Sequence, residues 1–251
     1  MAAPDGIDYD WALATGGNLT RGQSRALLPP LMRLIAKTPG QRLRLVTGRR
    51  GSGGVDLDAL VLPDSRLAKD AEAEAREVLS PCIREHSYRT FWFGLALATI
   101  DRIEVDLEMV YVASLLHDLN LEHPTPGRCF ALVGAQRAEE FCLARDVEPP
   151  RAKRIAAEIC GHITAGAASE LSSPGGFVQA GAFTDVAGGR LPELAPEWVD
   201  EVLARHPRLE FKRHLRAAWR AEGEAVPHGR AKWLTRWAMF PTLVRMAPFA
   251  E

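Results

Sequence analysis

Cysteine is scarce in this sequence and follows no pattern. Cys82, Cys129, Cys142 and Cys160 form no CxxC pair and recur at no fixed interval, which argues against a zinc ribbon or a disulfide framework and suits a reducing compartment. Long apolar runs are missing too. No uninterrupted stretch reaches the length that crosses a bilayer, and the opening residues MAAPDGIDYDWA carry acids where a signal peptide would place bases before an apolar segment. A cytoplasmic protein with no membrane partner is the expectation. Neither sign of charge dominates, since 31 Lys and Arg face 32 Asp and Glu. No global field therefore selects nucleic acid or an anionic surface, and partner choice has to be local. There is no internal repeat and no low-complexity tract.

What is present is a chain of 251 residues, 47% of them hydrophobic, which can supply a substantial core. Residues 1–65 carry GG, PP, TPGQ and RRGSGGVD around the apolar stretch LLPPLMRLIAKT and a β-compatible run, LRLV. They read as an extension with irregular loops. From Ser65 the character changes. Ser80 with Pro81 behind it can open a helix through IREHSYRTFWFGLALATI, and Asp106 can cap the next one. Further helices are expected at 129–145, 150–164, around 174–187 and from Pro196 to about Trp219, with no paired strands between Ser65 and Trp219. The expected fold is all-α: a helical bundle over residues 66–219, the 1–65 extension, and an apolar segment over 220–251.

The helix expected after Asp106 runs VYVASLLHDLNLEH and sets His117 and Asp118 into an otherwise greasy pattern. A plain helix end meeting solvent is one reading; a metal ligand pair is the other, and it needs company from other elements. Company exists. His86 in IREHSYRTFWF, His162 in AAEICGHITAG and Asp185 in QAGAFTDVAGG are all polar groups in core-like sequence, where an unpaired charge would be costly.

The order His86, His117-Asp118, Asp185 on successive helices resembles the HD-domain superfamily of metal-dependent phosphohydrolases. HSYR, LLHDLNL, GRCFALVGAQRAEEF, GHITAG and AGAFTDVAG look most like the branch that includes cyanamide hydratase, over roughly residues 70–205. The resemblance implies a helical bundle in which His86, His117, Asp118 and Asp185 hold a metal. Only His123 and His162 fall between the HD pair and the last Asp, so the second metal set found in two-metal relatives is incomplete and one metal is expected. The branch is also expected to carry an acid after Arg-Phe in the helix behind the HD turn, where this chain reads Arg128-Cys129-Phe130-Ala131.

A divalent ion of zinc, iron(II) or manganese held there would activate water for hydrolysis or hydration. Asp118 and His162 are the candidate catalytic residues, with His162 exchanging a proton from outside the metal shell. Arg89 and Arg128 are candidate substrate-binding residues, and Asn120 and Glu122 candidate supports for the ligands. The expected substrate is a small polar, cyanamide- or nitrile-like molecule. Phosphomonoester or nucleotide hydrolysis and a non-catalytic binding or regulatory role are the alternatives.

Two segments lie outside the resemblance. Lys37, Arg42, Arg44, Arg49 and Arg50 sit in a stretch without interleaved aromatics, which reads as a solvated loop and not a nucleic-acid contact. Trp233, Trp237, Met239, Phe240, Leu243, Val244 and Met246 make the last segment too apolar to stay in water. It must pack on its own domain, close over the pocket, or meet another copy in a homodimer.

Overall fold

The structure, a computed structural model, describes residues 6–251; the first residues of the 1–65 extension lie outside the described part. Among the described residues all regular structure is helical, and β pairing is confined to isolated bridges such as Gly53–Leu194. None of these helices is long and apolar enough to cross a membrane.

The chain runs through α1 (Tyr9–Thr15), α2 (Arg21–Ala26), α3 (Leu28–Val46), α4 (Arg66–Val78), α5 (Pro81–Asp101), α6 (Leu107–Leu116) and α7 (Phe130–Leu143). It continues through α8 (Pro149–Gly161), α9 (Gly176–Ala187), α10 (Pro196–Arg205), α11 (Phe211–Ala225), α12 (Arg230–Ala238) and α13 (Phe240–Arg245). Asp106 caps α6 as expected, accepting the Met109 N–H at 3.0 Å. Ser80 opens α5 differently: its side chain makes no cap, and its backbone N–H donates to Glu122 at 2.9 Å.

α5 is the central element, buried on nearly every side from Cys82 to Ala98. It lies against α9 at a distance set by missing side chains. A Cβ on Gly181 would stand 1.9 Å from the Thr90 carbonyl oxygen, and one on Gly94 would stand 2.7 Å from the Phe177 ring. Such contacts tolerate glycine alone, and they hold His86 of α5 opposite Asp185 of α9.

Three expectations are corrected by the fold. The LRLV run is not β-like: with Lys37, Arg42 and Arg44 it belongs to α3, which continues through Pro39. Pro29 and Pro30 fall in its first turn, where a missing N–H costs nothing. The RRGSGG stretch is docked, not solvated, because Gly51 and Gly53 donate to the Pro192 and Glu193 carbonyls at 2.7 and 3.1 Å. The helix expected from Pro196 to Trp219 is two, α10 and α11. Pro207 cannot continue α10 and restrains His206 before it, and Leu209 and Glu210 then turn the chain in left-handed conformation (φ 52° and 59°).

The 220–251 segment packs on its own chain. Trp233 and Ala238 of α12 join Ile7, Leu27 and Leu31 from the N-terminal end in one apolar cluster.

The glycine contacts predict opposite signs at two positions. Gly181→Ala must push α5 and α9 apart, at a cost of about 1–3 kcal/mol and several degrees of Tm. Gly40→Ala, in α3 with nothing within 4 Å of the new Cβ, should instead stabilise by about 0.5–1 kcal/mol. Thermal unfolding of the two variants beside the parent checks both; equal losses would contradict the α5–α9 geometry.

Candidate metal centre

Helix ends build this centre. His117 is the residue that terminates α6 and His162 the residue that terminates α8, both still in right-handed backbone conformation. The last carbonyls of a helix lack intrahelical donors. Each imidazole supplies one: Nδ1–H of His117 donates to the Ser114 carbonyl at 2.7 Å, and Nδ1–H of His162 to the Ile159 carbonyl at 2.6 Å. A carbonyl only accepts, so both rings carry their proton on Nδ1 and keep the lone pair on Nε2. The helix-end reading and the ligand reading of the HD pair are therefore the same arrangement.

His86 reaches the site from α5, stacked on Phe211 with ring centroids 4.5 Å apart. Its Nδ1 is 2.7 Å from Oδ2 of Asp185, and its Nε2 is 3.8 Å from Oδ2 of Asp118. Nε2 of His117 lies 3.3 Å from the same Asp118 oxygen, and Nε2 of His162 lies 3.8 Å from the other. His86, His117 and Asp118 each offer a ligand atom within 4.8 Å of the others. All three are buried. Nε2 of His117 completes no hydrogen bond, its nearest polar neighbour being the Asp118 carboxylate. A buried, unpartnered lone pair beside a carboxylate is what a cation would satisfy, and imidazole with carboxylate is a donor set suited to first-row divalent ions.

No family model matches this chain, and no curated protein matches it. The centre is read from its geometry.

Asp185 does not join the three converging groups. Its Oδ1 accepts from Nε of Arg89 at 2.9 Å and from Nη1 of Arg208, and its Oδ2 accepts from Nη2 of Arg89 at 3.0 Å and from Nδ1 of His86. A carboxylate has about four acceptor sites, and in this arrangement all are taken. Asp185 orients His86 from behind, as carboxylates commonly do for ligating histidines. The resemblance places it among the ligands; in this structure its oxygens face Arg89, Arg208 and His86.

Arg89 and Arg128, the candidate substrate-binding residues, lie apart from the three converging groups. Arg89 is fully buried, and besides Asp185 it donates to the His206 and Pro207 carbonyls at 3.0 and 2.9 Å, so it holds the α10–α11 break. Arg128 lies on the surface and donates to Gln136. Backbone bonds from Gly127 to Ala225 and from Cys129 to Gly16 pin the turn that points it outward. Asn120 ties that turn together through the His123 carbonyl at 2.9 Å, and Glu122 joins Ser80 to His214. Arg208 was not foreseen. Its only sequence signal is Pro207, whose helix break delivers the guanidinium to Asp185.

Electrostatics follow the packing. Burial opposes ionisation of Asp118, but His117 and the other imidazoles outweigh it and hold the carboxyl at about 2. Burial likewise disfavours the charged form of His117, yet Asp118 raises it above the ordinary 6.5. His162 is pushed down to about 3, chiefly by burial and then by His117, and stays neutral. At Asp185 burial is overcome by Arg89 and Arg208, which keep the carboxyl well below the usual range.

Above the polar floor of His86, His117, Asp118 and His162 opens a cavity of about 210 Å³. Its walls come from α3, α7, α9 and the α11–α13 region.

The two aspartates should separate in metal-free protein. Asp185→Asn leaves two buried guanidinium groups without a counter-charge and should cost about 3–5 kcal/mol. Asp118→Asn, which loses only its attraction to the imidazoles, should cost less, about 1–3 kcal/mol. Urea unfolding in chelator measures both; a small loss at Asp185 would show that its charge is not structural.

Proposed function

We propose that this protein is a metal-dependent hydrolase or hydratase of the HD-domain type, with one zinc, iron(II) or manganese ion held by His86, His117 and Asp118. The observation that carries the reading is the buried, unpartnered Nε2 of His117 beside the Asp118 carboxylate. When bound, such an ion lowers the pKa of a coordinated water and polarises the bond under attack.

The chain's own groups supply the rest. Asp118 brings the negative charge that favours a cation at a site lined by imidazoles. Asp185, through Nδ1 of His86, holds that ring with Nε2 toward Asp118. His162, with Nδ1–H fixed on the Ile159 carbonyl, keeps its Nε2 lone pair beside Oδ1 of Asp118, where it can accept a hydrogen bond that positions the reacting water. Apolar walls limit the water that reaches the floor. The phosphohydrolase alternative is less well supported, because no Lys or Arg lines the cavity to balance phosphate oxygens.

Plasma mass spectrometry of untagged protein should find about one equivalent of a first-row metal in the parent and little in Asp118→Ala or His117→Ala. His162→Ala should keep the metal and lose turnover. Parent protein that stays metal-free after reconstitution would overturn the assignment.

A pH dependence follows from His117. Because its folded-state pKa is raised above 6.5, protons compete with the ion for Nε2 as the pH falls. Metal affinity should drop about tenfold per pH unit once the pH is below that pKa, as measured by equilibrium dialysis between pH ~8 and ~5.5. Affinity that does not change across that interval would exclude His117 Nε2 as a ligand.

A further inference from the structure

We propose that the substrate taken by this centre is an uncharged molecule with an apolar body of one aromatic ring or a short branched chain and a single small polar head. The inference rests on the hydrolase or hydratase reading and names the substrate class for it.

The cavity above the cluster is apolar everywhere except at its floor. Leu31 and Ile35 of α3, Phe183 of α9, Trp219 of α11, Trp237 of α12 and Phe240 of α13 form much of its wall. The Trp219 and Phe240 rings are stacked, with centroids 4.0 Å apart, so this side is a rigid aromatic surface. Four wall residues outside the floor carry side-chain nitrogen or oxygen atoms: the Trp219 indole N–H donates to the Thr235 hydroxyl at 3.0 Å, Trp237 stands at the exposed rim, and Thr38 and Gln179 are engaged within the wall. The Thr38 hydroxyl donates to the Leu34 carbonyl at 3.4 Å. The Gln179 amide donates to the His162 and Thr164 carbonyls, each at 2.7 Å, and its oxygen accepts the Ala168 N–H at 2.8 Å.

Below the rim, a second polar group on a substrate would therefore find no free partner, and a charged one would be strongly disfavoured. The one place for a polar head is the floor, where the reacting water is expected. Size sets the other limit. An apolar cavity of about 150 Å³ accommodates benzene, so the 210 Å³ here suits about eight non-hydrogen atoms on the same scale. Trp237 and Met239 are 44% and 65% exposed at the α12–α13 side, giving the entrance an apolar rim.

A nitrile head balances without a further reactant: water oxygen bonds to the nitrile carbon, the π electrons move to nitrogen, and both water protons end on that nitrogen. Benzonitrile thus gives benzamide.

The test uses full-length protein reconstituted with metal and titrated calorimetrically with benzonitrile, benzamide, phenyl phosphate and cyanamide, with amide product followed by mass spectrometry. Benzonitrile and benzamide should bind at least tenfold more tightly than phenyl phosphate or cyanamide, and benzonitrile should be converted. Ala182→Phe, which fills the cavity from α9, should weaken aromatic binding at least tenfold while the metal content stays at the parent level. Leu34→Trp, from α3, gives the same reading if the first variant does not fold. Preference for phenyl phosphate, or aromatic affinity unchanged in a folded cavity-filling variant, would overturn the inference. Metal uptake with turnover of cyanamide and no aromatic binding overturns this inference alone, whereas failure to take up metal overturns the reading beneath it.

Discussion

A single buried carboxylate organises this molecule. Asp185 has no exposure, and it is tolerable there because two guanidinium groups and an imidazole satisfy it completely. The partners come from two parts of the chain. Arg89 and His86 are on α5, while Arg208 lies in the break between α10 and α11. Asp185 itself sits on α9, which the glycines at 94 and 181 bring against α5. The ion cluster thus fixes the helix pair, the chain reversal at Pro207 and the orientation of His86 together. Removing one member would leave the others charged in a medium that penalises unpaired charge.

The ligand geometry grows from a second constraint, the unfinished ends of helices. α6 and α8 stop with carbonyls in need of donors, and His117 and His162 provide them through Nδ1. That bond settles the tautomer and turns Nε2 inward. Asp118 follows immediately, so the same turn that ends α6 also brings the carboxylate to the imidazoles. No element has to be distorted to assemble the cluster, and Nε2 of His117 completes no hydrogen bond there.

The walls above the floor have another origin. α3 comes from the segment before the bundle, and α12 and α13 from the segment after it. Both are needed to close the cavity, since Leu31 and Ile35 stand on one side and Trp237 and Phe240 on the other. The parts of the chain before and after the bundle therefore complete the wall of the cavity over His86, His117 and Asp118. Arg230, fully buried beside Thr164 and the Cys160 carbonyl, ties α12 to the end of α8 and fixes this closure near His162.

Helical class was readable from the sequence because apolar periodicity, Asp106 at a cap and Pro at first turns are local signals. His86, His117 and Asp118 were readable as candidates because a polar residue in a greasy helix has to be satisfied by something. Whether Asp185 would be a ligand or a support was not readable, since that depends on how many of its lone pairs are occupied by residues remote in the chain. The same holds for Arg89, whose charge suggested a substrate clamp until burial made it a counter-ion. The course of α3 through Pro39 and the docking of the RRGSGG stretch were likewise beyond local signals. Nearest-neighbour chemistry determined which residues could do chemistry; only tertiary packing decided which lone pairs stayed free and which face the cavity, because both depend on contacts between helices far apart in sequence.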